Sequence, residues 1–289
     1  MSSRPIAIPD HLAATCRGRP EREAWLAQLP HVVTELQRRW SLELGNVFEF
    51  GNCSWVAAAT RPHGRRAVLK LGMPHMEGLQ EIAGLRFWHG EPTVYLIDAD
   101  DAANAMLLER CEPGESLRSL AEPEQDRVIG GLLHRLWRVP PAPHPFRPLL
   151  AMVQHWIDAS LTDAARWPDE GVAREGLRQM AALARPALDD VLLATDLHAG
   201  NVLAAQRQPW LAIDPKPFIG DRAYDATQHL FNCTTRLVSD PHGTVARVAD
   251  ALDVDRERVR LWTFARLAAE PRDDWTGPAT LATARALAP

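Results

Sequence analysis

Apolar residues recur at helical spacing through Trp25, Leu26, Leu29, Val32, Val33, Leu36 and Trp40, and Pro20 stands where such a helix would begin. From Asn46 the period shortens to two. V-F-E-F, then W-V-A-A-A-T, a Pro-His-Gly-Arg turn and A-V-L-K-L predict strands. A helix is expected from about Pro74 to His89, opened by proline and closed before Gly90. T-V-Y-L-I-D and A-M-L-L-E-R read as two further strands joined through Asp98–Asn104. Glu112-Pro113-Gly114-Glu115-Ser116-Leu117 breaks the pattern. Beyond it helical periods dominate, at roughly 116–138, 149–166, 170–190, 223–238, 241–252, 255–269 and 277–287, with no internal repeat. The predicted class is α+β: residues 1–111 form a small antiparallel-sheet lobe with a helical extension over 1–40, and residues 112–289 a larger, mainly helical lobe.

Composition narrows the partners. Apolar residues make up 46% of the 289, which predicts a folded chain, and a net charge of −5 argues against general nucleic-acid binding. The four cysteines are scattered, and the histidines form no H-E-x-x-H pair. Reduced thiols are therefore expected, with no disulfide or zinc framework. No signal-peptide layout opens the sequence and no apolar run reaches membrane-spanning length, so a cytoplasmic location is expected. Of 32 basic residues only Lys70 and Lys216 are lysines. Arginine codon bias explains the excess of arginine. A compact point charge cannot be exchanged for a planar fork in a tight site, so each retained lysine is a candidate for geometric necessity.

The chemistry concentrates in A-T-D-L-H-A-G-N-V-L and L-A-I-D-P-K-P-F-I-G-D-R-A-Y, within Ala194–Tyr224. Asp196, Asn201 and Asp214 follow the order in which a phosphoryl-transfer site presents a hydroxyl-orienting carboxylate, a metal-binding amide and a metal-binding carboxylate. Asp and Asn also cap helices and make turns, so D-x-x-x-x-N alone carries little. Lys70, at the end of an alternating strand, strengthens it as a candidate for the α- and β-phosphates. Its expected helix partner is Glu81, with Glu77, one turn earlier on the same face, as the competitor.

D-L-H-A-G-N-V-L followed by A-I-D-P-K-P and G-D-x-A-Y-D resembles the aminoglycoside phosphotransferase branch of the two-lobed protein-kinase-like fold. The similarity is greatest to its streptomycin 6-kinase and hydroxyurea phosphotransferase group. A-V-L-K-L-G-x-P-H at Ala67–His75 and L-L-E-R-C-E-P-G at Leu107–Gly114 extend the resemblance to the first lobe, and the first forty residues carry none of it. The resemblance implies ATP and Mg2+ as cofactors. It also implies a hinge whose Glu109 carbonyl and Cys111 amide face adenine, and a phosphate loop over Gly51-Asn52-Cys53-Ser54 that lacks G-x-G-x-x-G. Asp225 would brace the catalytic loop. The implied acceptor is a hydroxyl of a small, cationic molecule, with the 6-hydroxyl of streptomycin first. Hydroxyurea or an endogenous metabolite is the alternative, and a non-catalytic pseudokinase is a reading from another class.

Departures from the wider pattern matter as well. Ala194-Thr195 precede Asp196 where protein kinases have His-Arg, so an activating phosphate would find no arginine there and constitutive activity is expected. The short run from Asp214 to Asp225 contains no A-P-E, which favours a small molecule over a protein acceptor. Lys216 either neutralises charge on the transferring phosphoryl group or makes a salt bridge to Asp221 or another nearby acid. His198 is expected to pack the loop rather than act as a base. Asp158/Asp163, Asp189/Asp190 and Glu270/Asp273/Asp274 beside Trp275 are candidate cation contacts, or simply solvated faces.

Overall fold

The helical period of the first forty residues folds as α1 (Asp10–Cys16) and α2 (Pro20–Arg39) in a computed structural model that describes residues 6–49, 51, 53–270 and 277–289. Pro20 occupies the first turn of α2, where its missing N–H has no bond to lose. Five strands follow as β1 (Glu43–Val47), β2 (Ser54–Arg61), β3 (Arg65–Gly72), β4 (Leu96–Asp100) and β5 (Ala105–Glu109), with α3 (Glu81–Trp88) between β3 and β4. They form one antiparallel sheet in the order β1-β2-β3-β5-β4.

Alternation gives the two faces of this sheet different tasks. Trp55, Ala57, Ala59, Leu69, Leu71 and Leu107 pack against Leu12, Leu29, Val33 and Leu36 of the first two helices, forming one buried cluster. Lys70 points the other way, because side chains alternate along a strand. Its cross-strand neighbours are Val56 and Met106. The expected helix over 74–89 is shorter than its pattern: Glu77–Gln80 form a 3-10 turn, and Gln80 at φ −121° leaves helical geometry before Glu81 starts α3.

This first compact unit runs to Gly114 and takes in Ala205–Pro209. Arg207 accounts for the second segment, since its guanidinium donates to the carbonyls of Gly90 (2.8 Å) and Thr93 (2.9 Å) and to the Glu109 carboxylate (2.9 Å).

The second unit covers Glu115–Ala204 and Trp210–Pro289. It contains α4 (Glu122–Leu136), α5 (Leu149–Thr162) and α6 (Glu170–Leu183). Four short strands come next, β6 (Val191–Leu193), β7 (Val202–Ala204), β8 (Trp210–Ala212) and β9 (Phe218–Gly220). The chain closes with α7 (Arg222–Asn232), α8 (Thr234–Ser239), α9 (Pro241–Ala251), α10 (Arg256–Ala269) and α11 (Pro278–Leu287). The long period over 223–238 is thus two helices, broken at Cys233.

Helix α10 is the core element. Val259, Trp262, Phe264 and Ala265 are completely buried. It lies so close to α6 that a Cβ on Gly176 would meet the Ala268 Cβ at 2.7 Å, so glycine is needed there for the approach. Strand β6 pairs with β9 and β7 with β8, and these two small sheets carry the loops that hold Asp196, Asn201 and Asp214. Among the described residues, no helix is long and apolar enough to cross a membrane.

Candidate active site

In the first unit, Lys70 Nζ donates to Glu81 Oε1 at 2.6 Å, and both side chains are more than nine-tenths buried. Of the two carboxylates the sequence offered, Glu81 holds this bond, while Glu77 lies in the preceding 3-10 turn. Two charges out of water are tolerable only as a well-bonded pair, so each fixes the other.

At the end of β5, Glu109 gives its own N–H to the Tyr95 carbonyl (2.9 Å), and its carboxylate accepts from the Tyr95 N–H (2.9 Å) and from Arg207. Cys111 is buried, and burial, with the nearby Glu109 charge, pushes its thiol up to about 11. It is not a reactive nucleophile. No hydrogen bond engages its backbone N–H among the described residues.

Gly51 stands at φ +136°, a conformation that favours glycine, and its carbonyl accepts from His11 Nε2 at 2.9 Å. Ser54 opens β2 opposite Gly72. Asn52, between Gly51 and Cys53, lies outside the described residues, as do Asp273, Asp274 and Trp275.

In the second unit, the loop after β6 is fixed from below by Asp225, which is wholly buried on the first turns of α7. Its Oδ2 accepts from Ala194 N–H (3.0 Å) and Trp137 Nε1–H (2.9 Å), and its Oδ1 from Thr195 N–H (2.7 Å). Burial raises this carboxyl to about 6 against the opposing pull of those three donors. Thr195 adopts φ +51°, an unusual value for a β-branched residue, and its hydroxyl donates to the Lys216 carbonyl at 2.5 Å. Lys216 N–H returns a bond to the Ala194 carbonyl at 2.8 Å. The loops bearing Asp196 and Asp214 are thereby tied backbone to backbone.

Asn201 Nδ2 donates to the Asp196 carbonyl (3.0 Å), which spends the amide's donor end and leaves its oxygen as the acceptor. The Asn201 carbonyl accepts from Ile213 N–H at 2.9 Å, setting Asn201 beside the chain that leads into Asp214. Asp214 sits at φ +53° and is ion-paired with Lys216 Nζ. Lys216 is buried, whereas Asp214 keeps about a third of its side chain exposed.

The salt bridge open for Lys216 is thus to Asp214. Asp221 instead caps α7 and accepts from Arg258 (2.6 Å) and Trp262 Nε1–H (2.7 Å). An amide oxygen and a carboxylate on adjoining segments are the hard oxygen donors that Mg2+ accepts, so this donor set fits that ion.

His198 accepts from Gly200 N–H at Nδ1 (3.0 Å), and burial, then the Arg118 charge, push its imidazole down to about 4. A neutral, loop-packing histidine results. Arg118, Gln228 and Arg266 are neighbours that the sequence did not single out. Arg118 donates to Asn232 Oδ1 (2.9 Å) and fills the space above Gly200, where a Cβ would come within 2.7 Å of its Nε. Gln228 Nε2 donates to Asp196 Oδ1 at 2.8 Å.

The acidic groups proposed as cation contacts are largely engaged within the chain. Asp158 accepts from Gln154 (2.9 Å), Asp190 from Ala187 N–H (2.9 Å), and Glu270 from Arg266 (2.5 Å). Among the described residues, Asp126, His229 and Cys233 form the one group spaced for a metal. Both Asp126 oxygens already meet Arg236 (2.7 and 2.8 Å), and His229 Nε2 lies 2.6 Å from Oδ1. Burial alone would raise Asp126, but Arg236 and His229 hold it at about 2. A cationic guanidinium on the only carboxylate makes this an ion-pair network. None of the four cysteines forms a disulfide.

Solved structures share this fold. A choline kinase from Streptococcus pneumoniae matches with a TM-score of 0.60 and 15% identity, over 89% of this chain and 99% of that one. A macrolide 2'-phosphotransferase type I matches with a TM-score of 0.52 and 17% identity, over 89% of this chain and 96% of that one. The fold is therefore protein-kinase-like.

The profile of the aminoglycoside/hydroxyurea antibiotic resistance kinases matches residues 39–271, and the chain belongs to that family. It is similar to streptomycin 6-kinase of Streptomyces griseus, at 36% identity over 92% of this chain and 90% of that one. It is likewise similar to hydroxyurea phosphotransferase of Kitasatospora aureofaciens, at 36% identity over 83% and 71% respectively.

Proposed function

We propose that this chain transfers the γ-phosphoryl group of ATP to a hydroxyl of streptomycin, the 6-hydroxyl first, and so confers resistance to it. The observation that carries the reading is the tied loop pair of the second unit. Asp196, Asn201 and Asp214 stand on a scaffold braced by Asp225, in a chain aligned almost end to end with two streptomycin 6-kinases.

Asp196 accepts the acceptor hydroxyl's hydrogen bond, aims its oxygen at the γ-phosphorus and takes the proton as the new P–O bond forms. Asn201 Oδ1 and the Asp214 carboxylate would hold Mg2+, which when bound draws charge from the phosphate oxygens. Lys70, fixed by Glu81, binds the α- and β-phosphates, and Cys111 N–H meets the adenine. Gly51 and Ser54 cover the phosphates. Lys216 exchanges its bond to Asp214 for the transferring phosphoryl group as the charge there develops.

The test is an ADP-release assay on purified protein with streptomycin, other aminoglycosides and hydroxyurea, followed by NMR assignment of the phosphorylated oxygen. Streptomycin 6-phosphate is the expected product. Phosphate on the 3'' oxygen would correct the regiochemistry, and that outcome is a real alternative because a streptomycin 3''-kinase of Klebsiella pneumoniae is 28% identical. Turnover with hydroxyurea alone would favour the second reading, and nucleotide binding without transfer to any acceptor would favour a pseudokinase.

Lys216→Arg separates necessity from codon bias. A guanidinium does not fit a pocket shaped for a buried ammonium, so kcat is expected to fall about 10-fold or more. Unaltered kinetics would make this lysine incidental.

A further inference from the structure

A carboxylate attached through one soft torsion swings unless something holds its oxygens, and χ2 of aspartate is broad. Asp225 fixes the backbone on either side of the Ala194–Thr195 bond and does not touch the Asp196 side chain. Gln228 does touch it. One turn beyond Asp225 on α7, Gln228 gives Nε2–H to Asp196 Oδ1 at 2.8 Å.

A glutamine amide can present either end, and here the choice is made for it. Arg266 NH2 donates to Gln228 Oε1 at 3.0 Å. A guanidinium has no acceptor, so only the amide oxygen can face it, and the NH2 end must turn toward Asp196.

Arg266 is itself immobilised. It is 3% exposed and donates to Thr227 Oγ1 (2.5 Å) and to both Glu270 oxygens (2.5 and 3.1 Å). Its guanidinium carbon lies 4.7 Å from the ring centroids of Tyr224 and Phe231 and 5.4 Å from that of Trp156. Three rings and a carboxylate hold the planar fork in one plane, and the stacking compensates part of its lost hydration.

We infer that Gln228 is a positioning residue for the phosphoryl-transfer step, setting the rotation of the Asp196 carboxylate, and that buried Arg266 sets the polarity of Gln228. The inference rests on the reading of Asp196 as the group that orients the acceptor hydroxyl. It adds a polar chain from the core of α10 to Asp196, through two side chains that make no hydrogen bond to Asn201 or Asp214. Its consequence is kinetic, because a misplacement of the carboxylate by a fraction of an ångström costs rate without costing nucleotide affinity.

Two substitutions test it. Gln228→Leu removes both bonds at similar volume. Gln228→Glu keeps a partner for Arg266 but sets a carboxylate against a carboxylate. If Gln228 positions Asp196, kcat falls about 10-fold in Gln228→Leu and further in Gln228→Glu, while KM for ATP stays within about 2-fold. A packing role predicts the opposite order, since glutamate is nearly isosteric and remains bonded to Arg266. That order, or an unchanged kcat in either variant, overturns the inference. If Gln228→Leu does not fold, Gln228→Glu is sufficient by itself: a folded variant with wild-type kcat refutes the positioning role.

Crystal structures of wild type and Gln228→Glu give a readout that needs no turnover. The Asp196 carboxylate should rotate or split between conformers in the variant, and an unmoved carboxylate overturns the inference. A wild type inactive on every acceptor would instead sink the proposed function and leave this structural test standing.

Discussion

Replacing Asp196 by alanine is expected to lower kcat for phosphoryl transfer at least about 1,000-fold while leaving ATP affinity within a few-fold of wild type. The carboxylate stands at the end of a loop whose backbone is held independently by Asp225 and by the Thr195–Lys216 and Ala194–Lys216 bonds. Removing its side chain therefore deletes the hydroxyl-orienting group without collapsing the loop. Asn201 loses only its longer contact to Asp196 Oδ2, because its main bond goes to the Asp196 carbonyl. Isothermal titration with a non-hydrolysable ATP analogue, beside steady-state kinetics, checks both halves. An alanine variant that turns over like wild type would remove Asp196 from the mechanism altogether.

The second large effect is expected at Asp225, and it is one of stability. Asp225→Leu keeps the branched outline of the side chain and leaves three buried donors, Ala194 N–H, Thr195 N–H and Trp137 Nε1–H, without an acceptor. Each unmet donor costs about 1–3 kcal/mol, so three together are expected to cost about 3–9 kcal/mol, a large part of the margin of a typical domain. Denaturant unfolding should show a lower midpoint, and whatever folded protein remains should have a depressed kcat because Thr195 is no longer held at positive φ. A variant with wild-type stability would mean that water or a shifted side chain satisfies these donors.

The parts of this site legible in the sequence are those written locally. Asp196, Asn201 and Asp214 lie within one short stretch whose spacing reflects one loop, a hairpin and a second loop. The sheet was legible because alternation and turn residues coincide from β2 to β5. Its register with the first two helices was not, since nothing local says which face of Trp55 and Leu69 they cover.

Glu81 was the expected lysine partner, with Glu77 as its competitor because both share a face of one expected helix; Gly78 between them is the local signal of the 3-10 turn that separates them. Gln228, Arg118 and Arg266 escaped notice for a different reason. Apart from the Arg266–Glu270 pair, their partners are remote in sequence, and a glutamine on a helix has many ordinary explanations. One signal was present. Arg266 interrupts the apolar run L-W-T-F-A-R-L-A-A, and an arginine there must either face solvent or be paired inside. The helical period could have shown that it shares a face with Trp262 and Ala269, both buried.

The two lysines have a practical consequence. Lys70 is bonded to Glu81 and Lys216 to Asp214, each 6% exposed, and every other basic side chain apart from histidine is arginine. The folded surface therefore offers amine-directed reagents no lysine to modify. Acylation, read by peptide mass, becomes a chemical clock with one hand in each compact unit: Lys70 reports the opening of the strand-rich unit and Lys216 that of the loop pair, with no background from surface lysines.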